Sequence, residues 1–178
     1  ASDVVLTITS DVTAEATVKA SVTFTAVNWD TPQTITVTGV DDDIIDGTIT
    51  STITISVVDP SSNDDFDSVD DQTVSVTTSD DDVAGFTIVE SGGSTAVAES
   101  GTTDTFTVVL DAEPASDVVL TITSDDTGEA TVNPSSITFT SADWDTPQTV
   151  TVTGADEQIV DDDQLTTITI SVLDTASD

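Results

Sequence analysis

The sequence predicts an all-β chain built as tandem immunoglobulin-like antiparallel β-sandwiches. Three observations carry this: apolar residues alternating with Thr and Ser, a composition rich in β-branched residues, and a long internal repeat. The alternation sets Val4, Leu6 and Ile8 on one strand face, and does the same for Ile35 and Val37, for Ile53, Ile55 and Val57, and for Phe106, Val108 and Leu110. No stretch has a helical period. Val, Ile and Thr are stiff at χ1 and suit a pleated surface. Val, Ile, Leu and Phe together make up about 27% of the chain, above the roughly 20% below which acidic chains stay disordered.

The repeat fixes the organisation. Residues 1–10, ASDVVLTITS, recur unchanged at 115–124, a period of 114. EATV at 15–18 returns at 129–132, WDTPQT at 29–34 at 144–149, and ITISV at 53–57 at 168–172, with one residue inserted at Asn133-Pro134-Ser135-Ser136. Seven strands per unit, separated by Gly, Pro and Asp turns, match an immunoglobulin-like sandwich. The second copy places strand A near 86–99, B at 103–111, C at 117–124, D at 129–140 with a break at Asn133-Pro134, E at 148–155 and F at 165–173; strand G falls near 72–79 in the first copy.

The domains expected are therefore 1–83, lacking the first two strands, and 84–178, lacking the last. The boundary at Asp80-Asp81-Asp82 has no Gly/Ser spacer, which argues against freely swivelling beads. Sandwiches lacking these strands expose apolar faces and open edges, so the missing strands are expected from adjacent repeats of a longer chain or from neighbouring subunits of a fibre.

Charge narrows the partners. With 35 acidic residues and one basic residue, Lys19, the chain offers neither the basic cluster that binds nucleic acid nor the polybasic segment that binds an anionic membrane surface directly. There is no Cys for disulfides or thiolate metal sites. The Ser/Thr/Asp/Gly-rich, Lys-poor composition suggests an exported protein, extracellular or at a cell surface. Catalysis is disfavoured because His, Cys, Tyr and Arg are absent, removing the usual general bases and nucleophiles.

The acids follow strand parity. Strands A, C, E and G of an antiparallel sandwich end at one pole, where the sequence places Glu99 after A, and Asp11, Asp125 and Asp126 after C. After E come Asp41, Asp42, Asp43 and Asp46, or Asp156, Glu157 and Asp161 to Asp163; after G come Asp80, Asp81 and Asp82. Two unit charges 4 Å apart repel by about 4 kcal/mol at an effective dielectric of 20. A hard divalent cation relieves that repulsion, and calcium, which takes six to eight oxygens in a flexible geometry, suits short Asp loops better than magnesium. The competing reading is that the Asp runs are solvated loops that keep the protein soluble and protect strand edges. Trp29 and Trp144 are expected to plug the end of each core, Phe66 to cap the core before strand G, and Gly39 and Gly154 to form strand-exit turns.

The stretch from Gly85 through VAESGTTDTFTVVL, with SDDTGEATV, WDTPQTVTVTG, VDDDIID and the closing VSVTTSDDD, resembles the Calx-β family and related repeats of giant bacterial adhesins. The resemblance implies calcium at the domain edge, held by Glu99, by Asp11 or Asp126, by Asp41 with Asp42 and Asp46, and by Asp80 to Asp82. The second copy departs from the pattern at ADEQIVDDD, where Gln158 replaces an acid. The function expected is that of a structural extender or rod module of a secreted bacterial surface adhesin or extracellular fibre, stiffened by Ca2+ at inter-domain loops. The alternative is a glycan- or protein-binding module, which would be expected to vary its loops rather than repeat them.

Overall fold

The structure, a computed structural model, describes residues 3–156, 158 and 162–173. It is all-β with antiparallel sheets, and divides into two compact units: residues 1–42 with 46–81, and residues 43–45 with 82–178.

In the first unit β1 (Val4–Ser10), β2 (Ala16–Val18), β3 (Ser21–Phe24), β4 (Val37–Gly39), β5 (Ile49–Val57) and β6 (Gln72–Thr78) form a four-stranded sheet ordered β3-β1-β5-β6 and a two-stranded sheet of β2 and β4. Ile8, Val22 and Ile53 make its small core, with Phe24, Ile35, Val37 and Val76 packed against them half-buried.

In the second unit β7 (Phe86–Glu90), β8 (Thr103–Leu110), β9 (Val118–Ser124), β10 (Ala130–Asn133), β11 (Ser136–Phe139), β12 (Gln148–Gly154) and β13 (Ile168–Val172) form sheets ordered β10-β12-β8-β7 and β11-β9-β13. Phe106, Val108, Val150 and Val152 from one sheet share a core with Leu120, Ile122, Ile137 and Phe139 from the other, making this a two-layer sandwich. Fully burying a side chain of this size contributes about 1.5–3 kcal/mol.

The strand expected over 129–140 is split by Asn133-Pro134. Because Pro cannot donate to a ladder, the chain changes sheet there: β10 pairs with β12, and β11 with β9. Its direction is kept. Ala130 N donates to Asp126 O at the exit of β9, and Ile122 N, further back along β9, donates to Ser135 O. All strand pairings are antiparallel, so β7, β9 and β12 run one way in their unit, as β1, β4 and β6 do in theirs.

Three aromatic expectations divide. Trp144 packs half-buried against its core, and its carbonyl accepts from Leu110 N at 3.1 Å. Trp29, expected to do the same, is 71% exposed, and among the described residues no strand corresponding to β8 is in the sheets of the first unit. Phe66 sits in a 3-10 turn, Asp64–Phe66, and is 44% exposed rather than capping the core. Gly39 and Gly154 do end strands. Gly154 has a further reason: a Cβ there would lie 2.1 Å from the Ala98 carbonyl oxygen.

Candidate functional site

The loop that leaves β1 carries the first acids. Asp11 closes the ladder to β5: its N donates to Thr52 O at 3.2 Å, and its Oδ1 accepts from Thr52 N at 2.7 Å. Asp125 makes the same pair with Thr167, at 3.1 and 2.8 Å, so Asp125 is the structural counterpart of Asp11. Asp126, the other carboxylate considered there, accepts from Gly128 N at 2.9 Å within its own turn. One oxygen of each of these carboxylates is thus engaged with backbone.

Sequence reading passed over Glu15. It is only 7% exposed, and its carbonyl accepts from Val40 N at 2.9 Å and from Thr78 Oγ1 at 3.2 Å, which ties the loop after β1 to the ends of β4 and β6. Burial holds the Glu15 carboxyl above its ordinary value, and the charges of Asp46, Asp42 and Asp80 push it further the same way. Those three are acids that strand parity assigned to this pole. Asp80 Oδ2 also accepts from Gly47 N at 2.8 Å, where Gly47 has φ +76°, a conformation that favours glycine. The available signal for Glu15 was its recurrence as Glu129 in the repeated EATV segment.

The other candidates are placed differently. Asp41 is exposed beside Asp42, and Asp43 belongs to the second unit, where its carbonyl accepts from Glu113 N at 2.8 Å. Asp81 is exposed and Asp82 is half-buried. In the second unit Glu99 lines a cleft together with Glu129, Asp162 and Asp163, and Asp156 is exposed. Glu157 and Asp161 lie outside the described residues. Among the described residues, no group of three or more acidic side chains is gathered closely enough to hold a metal ion as they stand.

Among the described residues four carboxylates are shifted, two upward in the first unit and two downward in the second. In the first, Asp67 is raised like Glu15, by burial and then by Asp59, Asp64 and Asp65. In the second, the Ser91 hydroxyl and then the Ala96 and Thr105 amides hold Asp104 below its usual value, and the Thr140 hydroxyl and amide do the same for Asp143. Neighbouring acids thus act on Glu15 and Asp67, and hydrogen-bond donors on Asp104 and Asp143.

No protein-family model matches the chain, and no curated protein matches it. The Calx-β resemblance therefore rests on its motifs alone. Among solved structures, the crystal structure of the S-layer protein rSbsC is similar over 94% of this chain, at 23% identity and a TM-score of 0.40. This chain spans 18% of that protein's length, and a likeness so slight carries no argument about function.

Proposed function

We propose that the chain is a non-catalytic extender segment of an extracellular or cell-surface protein, an immunoglobulin-like repeat of Calx-β type whose acidic pole is stiffened by calcium. The observation that carries the reading is Glu15, a residue only 7% exposed whose carboxyl is held above its ordinary value by burial and by the charges of Asp46, Asp42 and Asp80, at the place where the loops after β1, β4 and β6 meet. A buried carboxylate that faces exposed like charges is stabilised by a counter-charge. These four residues supply only hard oxygen donors, which fit calcium, and with no His or Cys in the chain the softer metals lack their preferred ligands. To hold the ion they would have to draw closer together than they stand, and its positive charge would then tie three loops together.

The near-identity of the two copies, in loops as well as strands, supports a mechanical role. Small-angle scattering of a protein of several repeats tests it: calcium should lengthen the persistence of the rod, and a glycan array should stay blank. Specific glycan binding with no change in persistence would replace this reading with that of a binding module.

A further inference from the structure

The loop that enters β5 contains Asp46-Gly47, the one Asp-Gly pair in a sequence that has no Asn-Gly pair. Both residues are exposed. Gly47 stands at φ +76°, and a Cβ added there would meet nothing within 4 Å, so packing does not demand the glycine. Nor does the turn by itself, because the second copy carries Asp162 at the corresponding position, also at positive φ, 65°. What the glycine supplies is an amide nitrogen with no side chain beside it.

That nitrogen is held. β5 and β6 pair as far as Ile49↔Thr78, and Gly47 lies two residues before Ile49 as Asp80 lies two residues after Thr78. There the Asp80 side chain takes over from the backbone, its Oδ2 accepting from Gly47 N at 2.8 Å. A carboxylate that accepts from an amide opposes loss of the amide's proton and fixes its direction. The Gly47 nitrogen can therefore turn on the neighbouring Asp46 side chain only when this contact opens locally.

We propose that Asp46-Gly47 is a site of spontaneous backbone modification, at which Asp46 rearranges to isoaspartate through a succinimide, and that Asp80 is the lock that sets its rate. In ring closure the Gly47 nitrogen bonds to Asp46 Cγ, and one carboxyl oxygen leaves as water, taking the amide proton and one proton from solvent. Water then opens the ring. Attack at Cγ restores Asp46, whereas attack at the α-carbonyl carbon breaks its bond to the Gly47 nitrogen, frees the α-carboxyl and leaves the chain running through Cγ. The backbone gains one methylene there, which moves Gly47 out of step with Asp80 and loosens this end of the β5–β6 ladder. The inference stands on the Gly47–Asp80 contact and not on calcium.

The test incubates the chain with chelator in water labelled with heavy oxygen and follows, by mass spectrometry of its peptides, the label that each ring opening leaves at residue 46. Amide hydrogen exchange at Gly47 is measured in parallel. The folded chain should take up label at Asp46 more slowly than the chain unfolded in urea. Asp80→Ala should raise both the labelling rate and the exchange of Gly47 roughly tenfold, as loss of a hydrogen bond to a charged acceptor does. Asp80→Asn, which keeps an oxygen acceptor, should fall between, and it carries the comparison if Asp80→Ala unfolds the first unit. Labelling as fast in the folded chain as in urea, no label at Asp46 even in urea, or Asp80 variants that label no faster than the unaltered chain would each overturn the proposal.

Discussion

Ile-Thr-Ile-Ser-Val occurs at 53–57 and again at 168–172, yet the two copies meet different surroundings. In the first unit β6 covers the strand, and Ile53 is fully buried; in the second Ile168 is half-buried and Val172 is 52% exposed. Across the rest of the fold the asymmetry reverses. Leu120 and Phe139 are buried beneath the sheet that contains β7 and β8, and Val150 and Val152 are buried on the inner face of that sheet, while their counterparts Leu6, Phe24, Ile35 and Val37 are only half-buried. Identical strand sequences thus acquire different burial from their neighbours. Burial in a sandwich belongs to the pair of sheets and is not encoded in one strand.

The largest expected effect follows from that difference. Phe139→Ala should destabilise the second unit by about 3–5 kcal/mol, as removal of a fully buried Phe does. Phe24→Ala should cost distinctly less. Each unit contains one Trp, so urea unfolding read by fluorescence in Trp29→Phe and Trp144→Phe backgrounds resolves the two values. Equal costs would break the comparison.

Acid should separate the units next. Glu15 and Asp67 have folded values above their unfolded ones, so their contribution is full below the unfolded values of 4.5 and 3.8 and is lost as pH rises through the raised ones. Asp104 and Asp143 contribute the opposite way: their stabilisation is present above 3.8 and lost as pH falls through their lowered values. Taking the chain from neutral pH to about 4.5 without divalent ions should therefore stabilise the first unit relative to the second, and further acidification should weaken the second. Glu15→Gln should flatten the response of the first unit. The same single-Trp fluorescence, followed against pH, checks the sign.

A smaller effect sharpens the packing contrast. Acrylamide, which is neutral and so indifferent to the chain's acidity, should quench Trp29 several-fold more strongly than Trp144. Similar quenching would mean that Trp29 is covered in solution.

Much of this fold was legible in the sequence because strand alternation is a local signal. β8, β9 and β12 lie where the Val/Thr pattern puts them, and the break expected at Asn133-Pro134 is present, although the pattern did not show that the chain changes sheet there. The aromatic plug was legible only in part. WDTPQT is identical in both copies, yet Trp144 packs against the core of its unit and Trp29 is exposed, a difference of tertiary neighbours that the motif does not contain. At the acidic pole, parity identified the loops but not the residue among them that is buried. Glu15 is flanked by Ala14 and Ala16, and beyond its recurrence as Glu129 nothing singles it out until β4 and β6 close on its carbonyl. Asp11 and Asp126 illustrate the converse, acids in the expected loops whose oxygens hold backbone amides.

The central claim is that the first unit's pole takes up calcium, and thermal melting of the whole chain at low ionic strength tests it most directly. An ion at about 100 times its dissociation constant that binds only the folded state adds roughly 2.7 kcal/mol, so the first unit should melt clearly higher in calcium than in chelator. Exchanging Asp42 and Asp46 for Asn should abolish that rise and, in chelator, lift the melting point by relieving the repulsion on Glu15; Asp30→Asn should do neither. Equal melting points in calcium and in chelator would contradict the claim and leave the Asp runs as solvated loops.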